Sequence, residues 1–331
     1  MSGTASPSSL LASTITQYVT LKQALGRCYG VERGVLQHLD TFLAAATSDL
    51  TPESFVGWCH SFERLASGVR RNWMRIVRNL CLYRRRTEPA CFLPDPSQFP
   101  PLHQPVRPHI FTEAEITNLL HAANALAPTP ATPLRPQVFR FAIVLLFTTG
   151  MRRGELLRLT LDDYDPREGT LLVRESKFHK SRLLPLSSDG LREIEGYLEA
   201  HRARRLPLRA GQPLIWNRRK SGRSYTGSGF GQGVRLLLRG TGIHTATGQL
   251  PRVHDFRHAF AVHALLRWYR SGVDVQTKLP FLAAYMGHVS IVSTQYYLRY
   301  IDEVVGLASD RFARRYGALV TTLPPLKAGV P

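Results

Sequence analysis

Six side chains of this 331-residue chain have the types and spacing needed to hold and break a phosphodiester. Arg152 follows Thr149-Gly150-Met151, and Lys177 lies in Ser176-Lys177-Phe178-His179-Lys180. His254 and Arg257 stand three apart, His288 follows Gly287, and Tyr297 comes nine residues after His288. Residues three apart on a helix share a face, so an imidazole and a guanidinium there can hold one phosphate between them. Arg152, just past a glycine break, can approach the same point from a helix end, where free N–H groups also favour an anion. Two guanidiniums neutralise the charge that develops on the non-bridging oxygens of a pentacoordinate phosphorus. In this reading His254 takes the phenol proton of Tyr297, Lys177 protonates the leaving oxygen, and His288 donates a further hydrogen bond. The product is a phosphotyrosyl ester, which conserves the bond energy and is reversible without ATP or metal.

The elements that must position these groups show in the apolar periodicity. Residues 1–12 are expected to be a disordered polar lead. From about Ser13 to Tyr83 apolar residues recur at three- and four-residue steps, a helical pattern. Thr51-Pro52-Glu53-Ser54 marks one helix start. A further helix from about Ser67 to Arg85 interleaves Arg70, Arg71, Arg75 and Arg78 with Trp73, Ile76, Val77 and Leu80. Arg70, Arg71 and Arg78 are the candidate contacts to a DNA backbone on that face, with a solvated basic face as the plain alternative. Seven prolines over 89–108 predict an extended linker.

A second domain opens at Thr112, whose Glu115 three residues on makes a capping-box pattern. An apolar helix, Val138 to Phe147, ends at Thr149-Gly150, and Gly154 restarts a helix. Two short strands, Thr170–Arg174 and Ser181–Leu186, form a ribbon that carries Lys177 and Lys180; Lys180 and Arg182 are its candidate DNA contacts. Helices are predicted for Ser188–Arg205, Gly229–Leu238, Val253–Tyr269, 275–286 and Asp302–Leu319. The fold class is therefore mainly α with a small β-ribbon. The domains are 13–88 (helical, DNA-binding), a linker at 89–108, 109–320 (catalytic) and a tail at 321–331.

Composition narrows the partner. Lys and Arg number 43 against 24 Asp and Glu, a net charge of +19 that suits a polyanion. No basic amphipathic anchor points to a membrane, and no apolar run approaches the ~18–20 residues that span one. The N-terminus lacks a cleavable apolar leader, so a cytoplasmic protein is expected. Cys28, Cys59, Cys81 and Cys91 form no Cys-x-x-Cys pair. His254 and His258, four apart, have a zinc-like spacing, but no Glu follows His254 and no third ligand clusters; no metal and no cofactor are expected.

Each motif also has a plainer explanation. Arg152 alone could be the ion-pair partner of Glu155. His60 and His263 suit ordinary helix positions, and Phe256, Phe260, Leu265 and Trp268 suit a core. The run Gly227-x-Gly229-x-Gly231-x-Gly233 superficially suggests a phosphate loop, but it follows no clear strand and lacks Gly-Lys-Ser/Thr; it is predicted to be a flexible loop.

Taken as an ordered set, the boxes resemble the tyrosine site-specific recombinases, the phage-integrase family. They are Thr149-Gly150-Met151-Arg152-Arg153-Gly154-Glu155-Leu156, Lys177, His254-Asp255-Phe256-Arg257, Gly287-His288 and Tyr297. The match covers roughly 108–305, and the region before the prolines is similar to the family's core-binding domain only in layout. The ribbon turn is less glycine-rich than the family's, so Lys180 rivals Lys177 as the general acid. Tyr296 and Tyr300 rival Tyr297, which the nine-residue spacing favours. The resemblance implies two domains clamped on double-stranded DNA, four protomers on two sites, possible sister recombinases, and a mobile-element role. The helix at Asp302–Leu319 would dock on a neighbouring protomer or pack on its own domain. A DNA-binding accessory subunit of the same fold and a type IB topoisomerase remain the alternatives.

Overall fold

The computed structural model describes residues 9–101, 106–174, 181–217, 224–288, 290, 292–295 and 297. The ribbon turn with Lys177 and Lys180, the rivals Tyr296 and Tyr300, and the helix expected at Asp302–Leu319 lie outside the described residues. The chain divides into two compact units, Met1–Val106 and Arg107–Pro331.

Among its described residues the first unit has four α-helices: α1 (Ala12–Ala24), α2 (Gly30–Ala46), α3 (Pro52–His60) and α4 (Ser67–Arg84). Thr51 caps α3 through a reciprocal bond with Ser54, as the Thr-Pro start predicts. Trp58 of α3 is fully buried. Its indole N–H donates to His38 Nδ1 at 3.0 Å, and its ring stacks on Trp73 at 6.2 Å. That satisfies the one polar atom of a large apolar side chain.

Two expectations for this unit are corrected. The N-terminal lead is ordered from Ser9: Leu11 is a core residue, and the Ser9 N–H donates to Asp40 at 3.0 Å. The proline stretch, from Cys91 to Pro100, is a packed strap rather than a free spacer. Phe99 is buried in the helical core with Phe92 and Leu93 against it. Arg71 and Arg78 of α4 donate to the carbonyls of Pro100 (2.6 Å) and Pro94 (3.1 Å). Prolines leave their carbonyls free to accept, and two arginines assigned to DNA supply donors to them.

The second unit is built round α6 (Arg135–Thr149), whose residues from Val138 to Leu146 are buried on nearly every side. α5 (Glu113–Asn124), α8 (Ser188–Ala203) and α10 (Asp255–Arg270) pack on it. The Thr112–Glu115 capping box opens α5 as predicted. An antiparallel sheet is ordered β1-β2-β3: β1 (Tyr164–Asp165), β2 (Thr170–Val173) and β3 (Arg182–Pro185). β1 is too short to leave a sequence pattern. Val173 stands opposite Arg182 and Leu171 opposite Leu184. α7 (Arg153–Arg158) follows α6. α9 (Gly227–Thr241), α11 (Val275–Met286) and the short α12 (Val292–Gln295) complete the described helices.

The glycine run is also corrected: it is the first two turns of α9, not a loop. Thr226 caps the helix by accepting from the Gly229 N–H at 3.1 Å. At Gly233 a Cβ would stand 2.1 Å from Phe139 Cζ, so glycine is what lets α6 and α9 meet with Phe139 stacked on Phe230. Among the described residues no helix is long and apolar enough to cross a membrane.

Candidate active site

The site gathers at the C-terminus of α11, where three consecutive carbonyls each accept from a different arginine. Arg182 Nε donates to the Tyr285 carbonyl at 2.8 Å, Arg257 Nη2 to Met286 at 2.8 Å, and Arg152 Nη2 to Gly287 at 3.1 Å. A helix end leaves its last carbonyls unpaired and carries partial negative charge, so cations collect there. Arg152, Arg182 and Arg257 come from three distant places in the sequence. The carbonyls of one turn bring them together.

Each arginine is aimed by its own element. α6 ends at Gly150 in the left-handed region, φ +61°, where a Cβ would lie 2.4 Å from Phe260 Cδ1. Only glycine fits that turn. It releases the Gly150 carbonyl to accept from Arg257 Nη1 at 2.6 Å. Met151 is buried as an anchor, and Arg152 stands at the N-cap position of α7. Glu155, one turn into α7, accepts from the Arg152 backbone N–H (2.9 Å), Arg152 Nη1 (2.7 Å) and Arg182 Nη2 (2.8 Å). Burial pushes the Glu155 carboxyl up, but the Arg182 and Arg152 donors outweigh it and hold it at about 2. The ion-pair partner proposed for Arg152 on plain grounds is therefore real, and it leaves Arg152 in the cluster.

Arg257 is almost fully buried, and burial followed by the neighbouring Arg152 charge pulls it down to about 10, still cationic at neutral pH. His288 sits just past Gly287, which adopts φ +66°, and its Nδ1 lies 2.7 Å from Thr294 Oγ1. Tyr297 is buried between two imidazoles. Its ring lies 5.9 Å from His288, nearly parallel, and 5.3 Å from His258, edge to face. Burial, then the Arg257 and Arg152 charges, holds His288 at about 4; burial, then His254, does the same to His258. Both rings are neutral near pH 7 and able to accept a proton. His254 is exposed at the mouth of the cluster, 4.9 Å ring to ring from His258. Thinned hydration, then the Arg257 charge, lowers its imidazole below the ordinary value.

Arg152, His254, Arg257, His288 and Tyr297 are thus brought together, while Lys177 lies outside the described residues. Two departures from the sequence reading stand out. His258, not His254, is the imidazole packed on the Tyr297 ring. Arg182 does not fit the role of a DNA contact, because its guanidinium is engaged by Glu155 and the Tyr285 carbonyl. The strand alternation carried that signal: Leu184 faces the core, so Arg182 two residues earlier faces inward and Leu183 outward. Among the described residues no three or more His, Cys, Asp or Glu side chains gather to hold a metal ion. His263, as expected of an ordinary helix residue, bonds the Phe111 carbonyl at 2.7 Å.

The chain is similar to proteins of one known family. The phage integrase family model matches residues 109–303. A Sinorhizobium fredii protein named integrase/recombinase y4rB is 30% identical over 312 residues, spanning 93% of this chain and 98% of its own. The tyrosine recombinase XerD of Bifidobacterium longum is 30% identical over 205 residues, 60% of each chain. Among solved structures, the Tn1549 transposon integrase in complex with transposon right end DNA is similar with a TM-score of 0.61 at 16% identity, covering 91% of this chain and 98% of that one. A lambda integrase dimer bound to a COC′ core site gives 0.56 at 17% identity, covering 88% and 78%. At these identities the structural likeness concerns the fold.

Proposed function

The chain belongs to the phage integrase family, the tyrosine site-specific recombinases, and on that footing we propose that Tyr297 cuts duplex DNA by forming a 3′-phosphotyrosyl ester. The family's activity is DNA breakage and rejoining, and this chain is a site-specific recombinase of that kind. The observation that carries the assignment to Tyr297 is its place in the fold: its ring stacks on His288 within the segment whose carbonyls hold Arg152 and Arg257.

The scissile phosphate would displace part of the carbonyl bonding of Arg152 and take its guanidinium, with His254 alongside. Arg257 and His288 lie behind it. The Tyr297 oxygen attacks phosphorus and its proton passes to the neutral His258–His254 pair. The P–O5′ bond breaks, and the leaving 5′ oxygen takes a proton from Lys177, the role the family pattern gives the ribbon lysine. Attack by a 5′ hydroxyl reverses each step, so rejoining needs no energy source.

The partner in this reading is double-stranded DNA, bound by the helical N-terminal unit through Arg70 and its neighbours and by the second unit through Lys180. Both solved structures named above contain DNA, one of them with an integrase dimer. Four protomers on two sites, possible sister recombinases and service to a mobile element complete the proposal. The test is Tyr297→Phe. It removes one hydroxyl from a buried ring, so the variant should bind duplex DNA like the wild type and form no covalent complex. A variant that still forms that complex overturns the assignment.

A further inference from the structure

We propose that a groove beside the cluster, lined by Arg153 and Arg235, seats the DNA backbone phosphate next to the one under attack; this rests on the recombinase reading above. The groove runs along the start of α9 and is continuous with the cluster, since Arg152 and His254 also line it. No acidic side chain lines it among the described residues. Arg252, on its far wall, is compensated by Asp255 at 2.8 Å. Arg153 and Arg235 are exposed and make no ion pair or side-chain hydrogen bond among the described residues. Like charges collected in one concavity call for an anion, and the ligand proposed for the adjoining cluster is a DNA strand, a chain of phosphodiesters.

The glycines of α9 make the arrangement specific. Gly227 and Gly231 are four apart, on one face of the helix. Arg153 lies over that bare face: its Nη2 would stand 3.4 Å from a Cβ at Gly227, and its Nη1 3.6 Å from one at Gly231. The guanidinium thus rests on backbone one residue after Arg152. The two neighbouring arginines are directed to different places, Arg152 into the carbonyl cluster and Arg153 onto α9. Successive arginines directed apart in this way suit successive phosphates of one strand. The glycine-rich sequence, which is poor for a helix, has a use in giving Arg153 this seat.

The experiment measures affinity for a fluorescein-labelled duplex across a salt series, for wild type, Arg153→Ala/Arg235→Ala and Arg192→Ala. Arg192 is exposed on α8 and paired with Asp189, away from the groove. Losing the one phosphate seated between Arg153 and Arg235 lowers the slope of log K against log salt by about 0.9 in the double variant, and Arg192→Ala should change nothing. An unchanged slope in the double variant, or an equal drop in Arg192→Ala, overturns the groove. Wild-type protein without salt-dependent duplex binding overturns the recombinase reading itself. Should the double variant fail a thermal-unfolding check, Arg235→Ala alone decides the question: a slope below the wild type's supports the groove and an unchanged slope overturns it.

Discussion

Glu155 accepts from two guanidiniums and a backbone N–H while nearly excluded from water. Its carboxyl titrates near 2 when folded against an ordinary 4.5. A depressed acid contributes stability that is present above the unfolded value and lost as pH falls through the folded one. Glu155 should therefore contribute on the order of 3 kcal/mol above pH 4.5, falling away between 4.5 and about 2. Urea unfolding of wild type and Glu155→Gln as a function of pH checks this. The gap should be widest near neutrality and close toward pH 2; a gap independent of pH would remove the charge-based account. At this scale the residue types of the cluster were legible because each carries its chemistry in its side chain. The support was less so. Glu155 was seen only as a rival explanation for Arg152, and Arg182 was mistaken for a DNA contact. His258 was weighed only as a zinc ligand, because its partner Tyr297 is far away in sequence.

At the scale of elements, glycine means different things in different helices. Gly233 lies where α9 meets Phe139, so Gly233→Ala should destabilise by about 1–3 kcal/mol through overpacking. Gly196 lies exposed within α8 with nothing near its missing side chain, so Gly196→Ala should stabilise by about 0.5–1 kcal/mol through helix propensity. Thermal midpoints of the two variants should move in opposite directions; two shifts of the same sign would contradict the packing account. Capped helices such as α3 and α5 were readable, since Thr51 and Thr112 announce their own starts. α9 was readable only in part: a helix from Gly229 to Leu238 was expected, but its glycine run also looked like a loop, because those glycines obey a contact with α6 and Arg153 that no local pattern encodes. The strap from Cys91 to Pro100 was misread for a similar reason: prolines look alike whether a segment is free or held by its carbonyls.

At the scale of the molecule, one buried core accounts for the first unit and two for the second, and the excess of cations accounts for the partner. Both were visible in the sequence, as was the family, because ordered boxes survive where single motifs are weak. The convergence of those boxes was expected from their chemistry; the device that builds it, three arginines on the carbonyls of one helix end, was not visible. The most direct test of that convergence is to trap the protein on nicked duplexes tiled across the DNA that flanks its gene, then locate the nucleotide remnant by peptide mass spectrometry. The account predicts the remnant on Tyr297 and no trapping by Tyr297→Phe. A remnant on Tyr296, Tyr300 or any other residue would contradict it.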